Sequence, residues 1–265
     1  MDPTDADRPR GITVSVVIPV KDDAEALTRC LHALALQTRL ADEIIVVDNT
    51  STDASATVAS DAGARVVRCD DPGIPAASAC GYDAATGDLI LRLDADCVPA
   101  RTWIQSMAAA CAAQPSVAAF TGGARFTDGP RILRGPLAAA YLGAYAVVLT
   151  PTLGHLPLFG SNLALRRGAW LSICTAVHRD DPELHDDLDL AYHLGDRYRI
   201  RYVPSAAMGI SMRPFADARA FARRVRRGMR TVLAHWPGDF PPRRWLRLIR
   251  RRRSRWSCGE GQERS

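Results

Sequence analysis

The turn that closes the first apolar run, Ile18-Pro19-Val20-Lys21-Asp22, contains no glycine. A nucleotidyltransferase on a related sheet would open with a glycine-rich phosphate loop there, and a dinucleotide-dependent oxidoreductase would carry G-x-G-x-x-G, so both classes lose their main support. Cysteine patterning is also missing: seven cysteines, at 30, 69, 80, 97, 111, 174 and 258, form no C-x-x-C pair and no His/Cys cluster at metal-ligand spacing. They read as reduced, mostly buried thiols. The first ten residues lack the basic-then-apolar order of a secretory signal, which gives a cytosolic catalytic domain as the expectation. Gly135 to Gly160 holds no Asp, Glu, Lys or Arg, but Pro136, Pro151, Pro157 and several glycines break it. A membrane span needs about 20 continuous apolar residues, so a buried helix and loop is expected, with a membrane-facing or acceptor-facing amphipathic segment as the alternative. No internal repeat is present, and Lys21 is the only lysine.

What the chain does have is an ordinary globular balance, 47% hydrophobic and 24% charged over 265 residues, which suits one α/β domain. The net charge of +5 hides an asymmetry: from Ser211 onward 16 Arg face 4 acidic residues, a balance of +12, which leaves −7 upstream. Such a basic tail suits an anionic membrane leaflet, where each basic residue contributes roughly 1 kcal/mol, and equally a solvated end. A nucleic-acid partner would rest on the arginines alone and is not expected.

Through residue 93 short β-branched runs alternate with alanine-rich helical stretches, the order of βαβ units and a largely parallel sheet. Strands are predicted at 14–20, 44–47, 66–67 and 89–93. A helix opened by an Asp22/Glu25 capping box follows the first, one stopped by Gly63 follows the second, and one over 76–85 follows the third. Ligands in such sheets sit beyond the carboxyl ends of the strands, so Pro19 to Asp22, Asp48 and Asp94 to Asp96 should face one crevice. Later, 103–113 reads as helix, 117–120 as strand and 215–230 as a basic helix with Phe221, Val225 and Met229 four residues apart.

The chemistry concentrates at Leu93-Asp94-Ala95-Asp96-Cys97. In extended chain, residues two apart point to one side, so Asp94 and Asp96 can approach one hard cation, or a ribose and a cation together. A second acidic concentration occupies 180, 181, 183, 186, 187 and 189, and so many like charges need a cation, solvent or a function.

The segments VSVVIPVKDDAEAL, EIIVVDNTSTD and ATGDLILRLDADC, in that order over about the first hundred residues, resemble the N-terminal motifs of family-2 inverting glycosyltransferases. FGSNLALRR (159–167) is similar to the family's acceptor-side segment, and His185-Asp186-Asp187-Leu188-Asp189-Leu190 to its E-D-x-D-L motif. The resemblance implies a GT-A-like (Rossmann-like) three-layer α/β sandwich over 1–210, with a nucleotide-binding half at about 12–98 and an acceptor half at about 99–210. Residues 211–265 would be a basic helical extension, partly disordered at its end. Pro19 and Val20 would line the base pocket, Asp48 would accept a hydrogen bond from the base, and Lys21 and Ala95 would flank the donor. Asp94 would lie near ribose or metal, and Asp96 would be the principal ligand of Mg²⁺ or Mn²⁺. The implied reaction is metal-dependent transfer from a nucleotide diphosphate sugar to an acceptor hydroxyl, with Asp187 as general base and Asp186 in support. The acceptor, whether small molecule, lipid-linked or protein, is left open. The implied location is cytoplasmic, peripheral on the inner face of the cell membrane if the tail binds there.

Three departures matter. Ala77-Ser78-Ala79 stands where the family often has Ala-Arg-Asn, which leaves Lys21, Arg92, another arginine or the metal to meet phosphate. No histidine occupies 208–213, where Ser211 or Arg213 would substitute, and the Q-x-x-R-W of processive synthases is absent. The first two keep open a catalytically inactive, glycosyltransferase-like binding protein, and the third implies transfer of one sugar per encounter rather than polymer synthesis.

Overall fold

The computed structural model describes residues 11–213 and 217–259, with side chains described to 251. β1 (Val14–Val20) is apolar apart from Ser15 because both of its faces are covered, and Val14, Val16, Val17 and Ile18 are fully buried. It pairs in parallel with β2 (Glu43–Asp48) and β4 (Leu89–Arg92), and β2 pairs in parallel with β3 (Arg65–Arg68). The crossovers are α1 (Ala24–Ala35), α2 (Ser55–Asp61) and α3 (Ile74–Ala84). α3 lies so close to the sheet that a Cβ on Gly81 would stand 2.3 Å from Val17 Cγ1.

The chain continues through β5 (Val98–Pro99), α4 (Trp103–Ala113), β6 (Val117–Phe126), α5 (Arg134–Leu153), a 3₁₀ turn at Gly160–Asn162, β7 (Leu163–Arg166), α6 (Arg167–Leu171), α7 (Asp186–Arg197) and β8 (Arg199–Ile210). It closes with α8 (Ala218–Ala234) and α9 (Pro241–Gly259). The sheet runs β3-β2-β1-β4-β7-β6-β8-β5. β6 and β8 are parallel, while β7 against β4 and β6, and β5 against β8, are antiparallel. Two apolar clusters, one including residues of α1 and α4 and the other residues of α3, α6 and α7, flank the sheet and give the expected three layers.

Three local expectations are corrected. Asp22 does not cap α1: it sits at φ 50° with Oδ1 accepting from the Thr52 backbone N–H and hydroxyl, while Asp53 Oδ2 accepts from the first helical N–H at Ala24, 2.9 Å away. The two strand-end turns cross-link each other, and that bonding displaces the local capping box. The stretch after 135 is not a buried helix and loop. α5 is a 20-residue helix that carries Pro151 only in its last turn, with Ala138, Leu149 and Leu153 buried but Val147 and Val148 exposed at 74% and 67%. By length and composition it could cross a membrane.

Nor is the basic extension a solvated end as far as residue 251. Arg226 and Arg227 each pair with Glu183 at 3.0 Å, Arg230 pairs with Asp181 at 2.9 Å, and Arg247 and Arg251 pair with Asp196. Arg244 is fully buried, donating to the carbonyls of Leu153 (2.7 Å) and Tyr192 (2.9 Å). The crowded acids at 181 and 183 thus answer arginines of α8. The disorder expected at the extreme end lies outside the described residues.

Candidate active site

The nucleotide-side residues occupy neighbouring strand tips. Val20 is buried and Pro19 half-buried at the end of β1, and Lys21 is exposed with Nζ 3.5 Å from Thr50 Oγ1. Asp48, opposite Val20 in the β1–β2 register, accepts the Ser51 backbone N–H at 3.0 Å through Oδ1. It shapes the turn rather than capping α2, whose N-cap is Ala54. Thr50 (φ 58°) and Asp22 (φ 50°) are left-handed, a conformation costing each about 1–2 kcal/mol. Strain concentrated in the two turns at one crevice is a common mark of a ligand-shaped loop.

Beyond β4 the two carboxylates of the D-A-D motif stand together with the buried Ala95 between them. Asp94 Oδ1 lies 2.8 Å from Arg92, and Asp94 Oδ2 accepts from the Ser161 hydroxyl. Asp96 Oδ2 lies 2.9 Å from Arg213, whose same nitrogen reaches Asp23 at 2.7 Å. Donor atoms of Asp94, Asp96 and Cys97 all fall within 4.8 Å of one another. Burial and the charge of Asp94 push the Asp96 carboxyl above its usual range, with Arg213 opposing them. Burial pushes the Cys97 thiol far up, so it stays protonated and is no ligand for a hard ion. The donor set that remains, two hard carboxylates one residue apart, suits Mg²⁺ or Mn²⁺.

The second carboxylate pair opens α7. Asp186 and Asp187 lie in its first turn, where the helix dipole favours negative charge. Their environments separate them. Burial raises Asp186, reinforced by Asp187 and Asp94, although Arg92 at 3.3 Å and the Ser78 hydroxyl at 2.8 Å work against the rise. Burial also opposes ionisation of Asp187, but His185, the Gly160 N–H and Arg92 outweigh it and hold this carboxyl below its usual range. Gly160 N–H donates to Oδ2 at 2.9 Å, whereas Oδ1 is buried without a hydrogen-bond partner. His185 Nδ1 is 3.6 Å from Oδ1, too far for a hydrogen bond, so it acts there as a neighbouring charge. Two adjacent carboxylates pushed in opposite directions are the arrangement in which one serves as base and the other as support.

One turn unites the pairs: the consecutive residues Gly160 and Ser161 donate to Asp187 and Asp94 respectively. Asn162 anchors that turn, accepting from Trp103 Nε1 at 2.8 Å and donating to the carbonyls of Gly123 and Ala206. Arg92, its side chain 3% exposed, lies between Asp94 and Asp186. Arg92 is therefore not open to a phosphate, as the sequence allowed it to be. Burial works against its charge, and Asp186 and Asp94 more than restore it. A guanidinium does reach the side of α3 where Ser78 replaces the family's arginine, but it comes from β4. The signal was legible as an arginine inside an otherwise apolar strand, while its partners were not. Asp94, Asp96, Asp186 and Asp187 are thus brought into one network; among the described residues Pro19, Val20, Lys21 and Asp48 have no hydrogen bond to it and only line the adjoining strand tips.

The family description "Glycosyl transferase family 2" matches residues 15–169, more than half of the chain. Among curated proteins the chain is similar to the glycosyltransferase AglE of Haloferax volcanii, 32% identical over 100 residues that make up 35% of this chain and 33% of that one. It is likewise similar to an uncharacterized glycosyltransferase of Mycobacterium tuberculosis, 41% identical over 86 residues, 32% of this chain and 38% of the relative. The chain therefore spans well under half the length of these relatives. Two solved structures share the fold. The glucosyl-3-phosphoglycerate synthase of Mycobacterium tuberculosis, in complex with Mn²⁺, UDP-glucose and phosphoglyceric acid, has a TM-score of 0.56 at 24% identity, covering 84% of this chain and 79% of that one. The mannosyltransferase PcManGT of Pyrobaculum calidifontis, in complex with GDP-Man and Mn²⁺, has a TM-score of 0.61 at 21% identity, covering 89% and 69%.

Proposed function

The chain belongs to glycosyl transferase family 2, and on that premise we propose that it moves a sugar from a nucleoside diphosphate donor to an acceptor hydroxyl with inversion at the anomeric carbon. The observation that carries this reading is the turn that holds Asp94 with one residue and an ionised Asp187, one oxygen unpartnered, with the next. Asp187 Oδ1 takes the proton of the acceptor hydroxyl as its oxygen bonds to the anomeric carbon; the nucleoside diphosphate leaves from the opposite face with the electrons of the broken C–O bond. Asp186, Arg92 and Ser78 fix α7 so that this oxygen keeps its aim.

Asp94 and Asp96 would hold the divalent ion, Mg²⁺ or Mn²⁺, which when bound supplies charge to stabilise the departing diphosphate. The Mn²⁺ complexes of the two similarly folded enzymes support that choice. Arg213 neutralises Asp96 meanwhile, and a diphosphate gives it an anionic partner of its own. Pro19, Val20 and Asp48 would receive the base, with Lys21 and Ala95 flanking the donor. Against an inactive binding protein stands the retention of Asp94, Asp96 and Asp187 in one network.

We also place the chain on the cytoplasmic face of a membrane. Exposed Phe221, Val225, Met229 and Leu233 of α8 and Trp245, Leu246 and Ile249 of α9 alternate with arginines, the composition that lies in an anionic interface, and α5 adds exposed Leu137, Val147 and Val148. A lipid-linked acceptor fits that placement better than a free metabolite or a protein. Calorimetric titration of UDP-glucose and GDP-mannose, with and without Mn²⁺, tests the donor site: one of them binds only with the ion in the wild type and fails to bind in Asp96→Ala. Binding equal with and without Mn²⁺ contradicts the site.

A further inference from the structure

A second set of metal-type ligands meets outside the site just described, assembled from segments far apart in the sequence. Asp189 and His193 lie one turn apart on the same face of α7, His178 comes from the loop before it, and His235 is the C-cap of α8. One donor atom from each falls within 4.8 Å of all the others. We propose that these four residues form a closed zinc site that clamps the C-terminal helices to the catalytic body.

The geometry is specific. Asp189 Oδ2 is committed to the His178 backbone N–H at 2.9 Å, which leaves Oδ1 to face three imidazoles. His178 Nδ1 lies 2.7 Å from Oδ1, His235 Nε2 2.9 Å and His193 Nε2 3.6 Å. Zinc–ligand bonds of about 2.0–2.1 Å in a tetrahedron set neighbouring donors about 3.3 Å apart, a spacing that the three distances to Oδ1 bracket. His193 Nε2 is buried with no hydrogen-bond partner, a ring nitrogen that protein groups alone leave unsatisfied. The His235 ring is held from behind as well: it stacks on Tyr192 with centroids 4.0 Å apart, and its Nδ1 faces Asp239 Oδ2 as a neighbouring charge at 3.6 Å.

Three imidazoles and a carboxylate suit a borderline ion, and four protein ligands leave no open position, which marks a structural site rather than a hydrolytic one. The set also differs from Asp94 and Asp96, two hard oxygen donors. When the ion binds, protons now shared between the imidazoles and Oδ1 pass to solvent, and the half-exposed His178 gives the ion a way in. Because Asp189 follows Asp187 by two residues, the ion would lock the α7 turn that carries the base. The proposal does not depend on sugar transfer and stands or falls separately from it.

The test uses the full chain, stripped by a chelator and titrated with Co²⁺ alone under visible absorption. The site predicts intense ligand-field bands of a four-coordinate ion saturating at one equivalent, abolished by added Zn²⁺, unchanged in Asp96→Ala and lost in His193→Ala. In His193→Ala, zinc binding weakens at least about tenfold, and the metal-free protein stays folded, its melting temperature lowered only by the ring contacts with His178 and His235 that the substitution removes. Absence of the bands in folded wild type, their persistence in His193→Ala, or their loss in Asp96→Ala would overturn the proposal. Should His193→Ala fail to fold, His178→Ala, altered at a half-exposed position, is read by the same criteria.

Discussion

At Gly160 the backbone N–H donates to Asp187, and the space a side chain would need is taken: a Cβ there would lie 2.0 Å from Arg92 Nη1 and 3.1 Å from Asp187 Oδ2. Only glycine permits the close approach, and φ has no part in it. Gly160→Ala should leave the sheet intact yet push Arg92 off Asp94 and Asp186, misplacing the base by about an ångström. A displacement of that size costs on the order of 100-fold in turnover, with melting temperature little changed; turnover within about threefold of wild type would show that the turn does not aim the base. Individual residues of the site differ in how far the sequence exposed them. Asp94, Asp96 and Asp187 were legible because each sits in a short local motif. Ser78 with Asp186 was not, because that bond joins residues 108 apart. Arg213 on Asp96 likewise spans 117 residues, and nothing local marks Asp23 as its other partner.

At the scale of elements, the first four strands are tied at their starts through Glu43. Its carboxylate accepts from the Ser15 hydroxyl at 2.5 Å, from the Thr86 N–H at 2.6 Å and hydroxyl at 2.7 Å, and pairs with Arg65 at 3.1 Å, which joins β1, β2, β3 and the turn into β4. Burial opposes its ionisation, but these bonds prevail and hold its pKa at about 2. A carboxyl lowered on folding stabilises the fold fully above its unfolded pKa, about 4.3, and loses that contribution as pH falls through the folded value. Glu43→Gln should therefore cost about 1–3 kcal/mol at neutral pH, and its deficit in urea unfolding should shrink as pH drops from about 4.3 towards 2. A deficit independent of pH would mean that Glu43 acts by shape alone.

The elements also show where periodicity carries information. β1, β2 and β4 read clearly because burial on both faces demands runs that are mostly apolar, with polar residues at Ser15 and at strand ends. β8 was missed: Pro204 and Gly209 interrupt Arg199–Ile210, and the register against β6 shifts between Gly122 and Ala124, so no alternation survives in the sequence. α5 was misjudged because its prolines were read as breaks, whereas Pro136 falls in the first turn, where no N–H is needed, and Pro151 in the last, where it removes one bond just before the helix ends.

Across the whole molecule, an acidic body and a basic C-terminal pair of helices compensate each other, through Glu183, Asp181 and Asp196 against arginines of α8 and α9. That pairing was not foreseeable from net charge, which says how much charge each half carries but not where it meets. Exposed ion pairs of this kind contribute about 0–1 kcal/mol each, so the docking also draws on buried contacts such as Arg244. The apolar side chains left outside should bring the chain to anionic vesicles. Co-sedimentation with phosphatidylglycerol vesicles is expected, weakening with salt and absent with phosphatidylcholine, and Val148→Glu should reduce it; equal binding to both lipids would contradict an electrostatic contribution from the arginines.

We propose that the Gly160–Ser161 turn aligns the carboxylates that would hold the cation with the one that would accept the proton. The most direct measurement is nucleoside diphosphate release from UDP-glucose or GDP-mannose with Mn²⁺, compared between wild type and Asp187→Asn with donor binding followed in parallel. The account predicts donor affinity unchanged and turnover lowered by at least about 100-fold, since a missing general base costs roughly 10²–10⁴. Turnover retained in Asp187→Asn, or donor binding lost along with it, would contradict the account.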